Sequence, residues 1–209
     1  MVFSNKKIGL LLGVISLLTS CAQIDDYLLG KDNTPKPAMM APLVSKQILT
    51  SVWSVPVLQS SHADHYIKLK PKLSGSTLYV ADTAGRVQAF DSATGKLRFS
   101  KLFKQPFVSG PAVSGDYVAL GTNHSHAMLL RASDGELVWD ATVSGDILST
   151  PLFVNNAVVV KSIDGNVYAF DLKTGAQRFM VDHGTPSLIL KASASPVRLG
   201  ELMLVGFSD

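Results

Sequence analysis

Asp164-Gly-Asn-Val-Tyr-Ala-Phe-Asp-Leu-Lys-Thr-Gly-Ala-Gln-Arg-Phe179 decides the fold, because Ala84 to Phe99 echoes it and His124 to Trp139 carries a weaker copy between them. The register holds at every landmark. Pro71, Pro111 and Pro151 open the units, Gly95, Gly135 and Gly175 punctuate them, and Phe99, Trp139 and Phe179 close them, each set spaced by 40 residues. Self-similarity at a fixed period of this size marks solenoids, propellers and arrays.

Working outward from the repeat, Ser76 to Asp82 and Asn156 to Ser162 are apolar runs rich in β-branched residues and bounded by turn formers, which predicts a strand. A turn at Ala84-Gly85 or Asp164-Gly165 leads into Arg86 to Asp91 or Asn166 to Asp171, the second hairpin strand. A second turn at Ala93-Thr-Gly95 or Lys173-Thr-Gly175 is followed by Lys96 to Phe99, or Glu136 to Trp139 in the middle copy, expected to alternate outward charge with inward apolar side chains. Ser109 to Val113 and Ser149 to Phe153 supply a fourth strand whose proline belongs at an edge or strand start. No stretch after residue 50 has a helical period.

Four short antiparallel strands in about 40 residues make the blade of a β-propeller. The fold class is therefore all-β, with the closing aromatics wedged between neighbouring blades as core packing. A WD40 array has a similar period, but only Trp139-Asp140 offers its dipeptide, and Phe99-Ser100 and Phe179-Met180 argue against it. Residues 49–209 have room for about four blades, and Pro196 lies 13 positions before Asp209 just as Pro151 lies 13 before Asp164. The expectation is an N-terminal fragment of a longer propeller, broken off in mid-blade.

The amino terminus sets the compartment. Lys6-Lys7, the run Ile8 to Leu18 and Leu18-Thr-Ser-Cys21 form a positive region, an apolar region and a small-residue cleavage site, so residues 1–20 read as a signal peptide. Leu-Thr-Ser-Cys matches the bacterial lipobox, which makes Cys21, the single cysteine, the expected site of lipidation. Each buried CH₂ of an acyl chain contributes about 0.8 kcal/mol, and several chains hold a protein stably at a membrane. Residue 22 is Ala rather than Asp, which favours the outer membrane. Residues 21–48 include Pro35, Pro37 and Pro42 and read as a stiffened linker. Removing Lys6 and Lys7 lowers the formal charge of +3 to about +1, which with the lack of any basic stripe excludes an electrostatic nucleic-acid binder.

Little suggests catalysis. His62 and His65 precede the first blade, and His124 and His126 share a strand face that could offer two metal ligands, yet no neighbouring carboxylate or Cys completes a set in sequence. They read as polar turn residues. Asp82, Asp91, Asp134, Asp164 and Asp171 sit at blade turns as acceptors for backbone N–H groups. No catalytic residue, metal site or cofactor is assigned. One segment departs from the period: the proline spacing grows from 40 to 45 between Pro151 and Pro196, which puts an insertion around Gly184 to Ala192. Insertions in repeats map to loops, often on the binding face. Leu188, Ile189 and Leu190 beside Lys191 make an apolar patch suited to a protein partner, or pack under their own loop.

The repeat Asp-x-x-Gly-x-Val-x-Ala-Phe-Asp-x-x-Thr-Gly-x-x-x-Phe/Trp resembles the quinoprotein-type propeller repeat. Together with the lipobox, the stretch Ser51-Val-Trp-Ser54 and the insertion Thr185-Pro-Ser-Leu-Ile-Leu-Lys191, it resembles the BamB family, lipoprotein subunits of the outer-membrane β-barrel assembly machine. The resemblance implies eight blades, of which this chain holds about the first half. It implies a non-enzymatic scaffold on the periplasmic face of the outer membrane, bound to the POTRA domains of BamA through Leu188, Leu190 and Lys191. Lys191 stands where the family has Arg, which keeps the charge but loses the bidentate fork. Contact with unfolded outer-membrane proteins is left open. Two alternatives remain. A periplasmic PQQ-type quinoprotein dehydrogenase shares the repeat but needs a pair of adjacent cysteines at its cofactor, whereas a propeller lipoprotein binding another protein or a glycan would be marked by indifference of barrel assembly to changes at 186–191.

Overall fold

The computed structural model describes residues 50–57, 68–184 and 194–207. Fifteen strands run through them: β1 Lys68–Leu69, β2 Lys72–Ser74, β3 Thr77–Ala81, β4 Arg86–Asp91, β5 Leu97–Leu102, β6 Phe107–Ser114, β7 Tyr117–Thr122, β8 His126–Arg131, β9 Leu137–Thr142, β10 Leu152–Val154, β11 Ala157–Lys161, β12 Asn166–Asp171, β13 Gln177–Asp182, β14 Val197–Leu199 and β15 Leu202–Leu204. Among the described residues there is no helix. Three antiparallel meanders, β2 to β5, β6 to β9 and β10 to β13, form three blades, and the hairpin β14–β15 begins a fourth. The fold is that of an all-β propeller fragment.

Two groupings differ from the sequence reading. The proline-led strand is the first of its blade, so Ser109 to Val113 pairs with the following run Tyr117–Thr122 and not with the preceding Leu97–Leu102. Pro71, Pro151 and Pro196 immediately precede β2, β10 and β14, where the missing N–H costs no ladder bond. Pro111 lies inside β6, at a register shift between Ser109 and Ala112, after a cis Gly110–Pro111 peptide. The second blade also gains a fifth strand, because Lys68 and Leu69 pair in parallel with Ser109 and Gly110.

The second correction concerns the outer strands. Strict alternation predicts Leu97 inward with Phe99, but Ala89 pairs with Phe99 while Phe90 pairs with Leu97, leaving Arg98 as an extra residue. The same shift falls opposite Val138 and Arg178. A bulge of this kind breaks the two-residue period. Leu97 and Leu137 are accordingly about half exposed.

Middle strands are buried on both faces, since each blade is covered by its neighbours; Ala157–Lys161 is buried at every position. Such strands read as continuous apolar runs, which is how they were legible. Between blades, the closing aromatic of one lies on the turn glycine of the next. A Cβ on Gly135 would come 2.5 Å from the Phe99 ring, and one on Gly175 would come 2.6 Å from Trp139 Cγ. Both glycines hold left-handed φ, +74 and +70. Trp53 makes the same contact on Gly95, ahead of the first blade, where a Cβ would meet the indole at 2.8 Å.

Each seat also presents a carbonyl. Trp53 Nε1 donates to Ser92 O and Trp139 Nε1 to Leu172 O, both at 3.0 Å. Phe99 has no such donor, and Tyr79 Oη supplies it, donating to Ala132 O at 3.0 Å. Ser92, Ala132 and Leu172 are equivalent by the 40-residue period. The wedge expected from the sequence is therefore present at Phe99 and Trp139, each with a polar lock at its junction, whereas Phe179 is about half exposed.

Candidate partner-binding site

Cys21, Leu188, Leu190 and Lys191 lie outside the described residues, as do His62 and His65. What the structure does describe is how the chain enters and leaves residues 185–193. On the entering side, Gly184 N donates to Asp182 Oδ1 at 2.7 Å, and the His183 ring stacks on Phe207 with centroids 4.0 Å apart. On the leaving side, Ser195 Oγ accepts from Thr150 N at 3.0 Å, and Pro196 is buried. Phe207 and Gly206, after β15, also meet Lys161 at the end of β11: its Nζ donates to Gly206 O and lies 4.7 Å from the centre of the Phe207 ring.

Apolar surface borders this junction. On β13, Phe179, Met180 and Val181 are about half exposed, and on β14–β15 Val197, Leu199, Leu202 and Leu204 are exposed to a similar degree or more. The four prolines of the repeat gather elsewhere: Pro71, Pro111, Pro151 and Pro196 line a cleft of about 550 Å³ together with Lys70 and Lys72.

The residues singled out for chemistry are occupied structurally. His126 Nδ1 is 2.7 Å from Asp140 Oδ1, and His124 Nδ1 is 3.1 Å from Gln105 Oε1, so the two histidines take different partners. Among the described residues, no group of three His, Cys, Asp or Glu side chains is arranged to hold a metal. Asp91 Oδ1 accepts from the N–H groups of Ala93 and Thr94 and from Thr94 Oγ1, while Oδ2 accepts from Arg98. The Arg98 guanidinium, with these Thr94 and Ala93 donors, lowers the Asp91 carboxyl to about 2. Asp171 repeats the arrangement with Arg178, Thr174 and Lys173 N–H, and is held well below the usual carboxylate range. Asp134 is lowered first by the Glu136 N–H and then by Arg131. Burial raises Asp164, but hydrogen bonds from Ser144, Ser162 and the Asn166 N–H outweigh it and the net shift is downward. Asp82 Oδ1 accepts from the N–H groups of Ala84 and Arg86. All five aspartates thus stabilise turns, as the sequence led one to expect.

Sequence reasoning missed Lys161, His183 and Phe207. The available signal was positional: the residue that is Ala81 in the first blade and Gly121 in the second is a lysine in the third.

The fold and these turns define an all-β propeller of quinoprotein-type repeats, with its aspartates committed to turn geometry. Comparison narrows the class. The profile of the family described as "Outer membrane protein assembly factor BamB" matches residues 50–125 and 100–209, and the chain belongs to that family. The Legionella pneumophila (strain Paris) assembly factor BamB is 43% identical over 204 residues, covering 97% of this chain and 53% of the relative. The Yersinia pestis one is 29% identical over 211 residues, covering 94% of this chain and 52% of the relative. The chain thus spans about half the length of the curated relatives it matches. Among solved structures, BamB from Moraxella catarrhalis superposes with a TM-score of 0.54 at 23% identity, over 62% of this chain and 39% of that one. A europium-containing methanol dehydrogenase superposes at 0.50 and 21% identity, over 58% and 26%. At these identities both likenesses speak for the fold alone.

Proposed function

We propose that the chain acts in the assembly of outer-membrane proteins as a non-enzymatic scaffold, and that it does so by presenting the segment 184–192 to a protein partner. The observation that carries this reading is the family match across residues 50–125 and 100–209, to relatives named as assembly factors.

In this proposal Cys21 carries the lipid that holds the protein at the periplasmic face of the outer membrane, and Leu188, Leu190 and Lys191 contact the POTRA domains of BamA. Two leucines supply apolar area and the lysine a single charge, without the planar fork that arginine would bring. Tethering raises the effective concentration of the two proteins without any further contact. The machine thereby gains a fixed partner near incoming barrel precursors.

The test is co-purification with BamA from detergent-solubilised membranes, using the full chain in native form and with L188A, L190A and K191A combined. The expected result is loss of BamA from the triple variant with blade folding retained. Recovery of BamA undiminished by the triple variant would move the contact elsewhere, and no BamA with the native chain would overturn the reading. In parallel, C21A is expected to shift the protein from the membrane to the soluble fraction.

A further inference from the structure

Alternate residues of the first blade serve its two faces. Tyr79, Val87 and Ala89 pack in one cluster with Val118, Leu120 and Met128 of the second blade. The residues between them, Leu78, Val80, Arg86 and Gln88, point the other way and are only half-buried. The later blades do not keep this alternation, since β7 is buried from Val118 onward and β11 throughout. The face is also polar in a way that its counterparts are not. By the 40-residue period Gln88 stands where the second blade has Met128 and the third has Tyr168, whose hydroxyl donates to Ser144 Oγ at 2.7 Å. Arg86 stands where they have His126, paired with Asp140, and Asn166, which donates to Ser144 Oγ at 2.9 Å.

Arg86 lacks a comparable partner. Its Nη1 donates to Ser100 Oγ over 3.4 Å, while Nε and the neighbouring Gln88 Oε1 are covered and unpartnered among the described residues. The other four described arginines each have a carboxylate: Arg98 has Asp91, Arg131 has Asp134, Arg178 has Asp171 and Arg198 has Glu201. A covered guanidinium without one is costly, and an incoming carboxylate relieves that cost. Trp53 points to the class of partner. It takes on Gly95 the seat that Phe99 takes on Gly135 and Trp139 on Gly175. Those two rings belong to β5 and β9, the outer strands of a preceding blade, whereas residues 50–57 belong to no described sheet.

We infer that this face of the first blade is a docking surface for one further β-sheet blade, closed by Trp53, and that the docking blade sets a carboxylate opposite Arg86. Leu78 and Val80 supply apolar area, and Arg86 supplies selection. On the sides that β3–β4, β7–β8 and β11–β12 turn to their successors, the acids are Asp91 and Asp171, already paired with Arg98 and Arg178. A second copy of a described blade therefore does not answer Arg86. The inference is independent of the segment 184–192.

The experiment puts a photo-crosslinking amino acid in place of Leu102, which is exposed and opposite Arg86 in the β4–β5 ladder, in the full chain in its native membrane. The captured peptide is identified by mass spectrometry, with Arg86 native and in R86M, R86K and R86E; resistance of residues 68–184 to trypsin checks that each variant is folded. The expected capture is a peptide with the propeller repeat, from outside residues 50–207 and bearing an Asp or Glu. R86M should lower its yield roughly tenfold and R86K should keep most of it. R86E should lose capture and regain it when the captured acid is changed to Lys. No capture, a peptide from within residues 50–207, a protein without the repeat, or a yield indifferent to R86M and R86E would each overturn the inference.

Discussion

Replacing Gly175 by alanine tests the blade junction directly. The substitution meets two obstacles. Gly175 has φ +70, where a side chain costs about 1–2 kcal/mol. The new Cβ would also lie 2.6 Å from Trp139 Cγ and 2.9 Å from its Cβ and Cδ2, well inside the roughly 3.5–4.0 Å of an ordinary carbon contact. Forcing the indole away is overpacking, which costs about 1–3 kcal/mol. The expected destabilisation is therefore roughly 2–5 kcal/mol. Gly115 is a matched control, with φ +54 and nothing within 4 Å of its Cβ position. G115A should show only the backbone part, about 1–2 kcal/mol. Urea unfolding of the full chain followed by Trp139 fluorescence, in a W53F background so that one tryptophan reports, gives the comparison. A cycle with W139A, followed by circular dichroism because that variant lacks the fluorescent reporter, completes it, since truncating the indole should bring the added cost of G175A towards that of G115A. Equal costs for G175A and G115A, or a cost indifferent to W139A, would refute the reasoning that the ring on the glycine holds the blades together.

Y79F removes the donor to Ala132 O and leaves a buried carbonyl unpaired, which should cost about 1–3 kcal/mol in the same assay; a native midpoint would mean that the hydroxyl is idle. L97Q should change stability by no more than about 0.5 kcal/mol, because the bulge at Arg98 turns Leu97 outward, whereas an inward leucine would lose several times that. The folded carboxyls of Asp91, lowered to about 2, and of Asp171, lowered further, contribute stability that is present above the unfolded value of about 4 and lost as pH falls through the folded values. The stability gap between native protein and the D91N, D171N double variant should accordingly be full at pH 6, narrow as pH falls below about 4, and close only below about pH 2, because Asp171 protonates last. A gap that stays constant or widens as pH falls from about 6 to 2 would contradict the assigned sign.

The blades were legible because their middle strands are covered on both sides, and Ala157–Lys161 and Asn166–Asp171 therefore show as apolar runs between turn residues. The wedge was legible because a large aromatic recurred with a glycine at fixed spacing. Other features had no such mark. The bulge at Arg98 is set by pairing across two strands, and nothing within Lys96 to Phe99 distinguishes it from regular alternation. The parallel pairing of Lys68 and Leu69 with Ser109 and Gly110 is too short to leave a pattern. Lys161 ends an apolar run and looks like the outward residue that closes a strand; its burial depends on Gly206 and Phe207, 45 and 46 residues later, which only the folded chain brings together.

The same distinction applies inside the repeat. Judged by residue identity, the second blade is the weak copy: Arg131 replaces the aspartate of Asp91 and Asp171, Asp134 replaces the threonine, and Val138 replaces the arginine. Judged by interactions the blade is equivalent, since Arg131 Nη1 donates to Asp134 Oδ2 at 2.6 Å and Asp134 Oδ1 accepts the Glu136 N–H. Charge has moved along the turn while the pairing of carboxylate with guanidinium is kept. The carbonyls of Ser92, Ala132 and Leu172 follow the same logic, each satisfied, two by an indole and one by a phenol reaching from a different strand. A buried acceptor left unpaired costs about 1–3 kcal/mol whichever residue fails to supply the donor. What the fold constrains at these positions is the acceptor and its need, so the donor can change residue and strand. A reading of repeats that counts matching letters will therefore undercount matching blades.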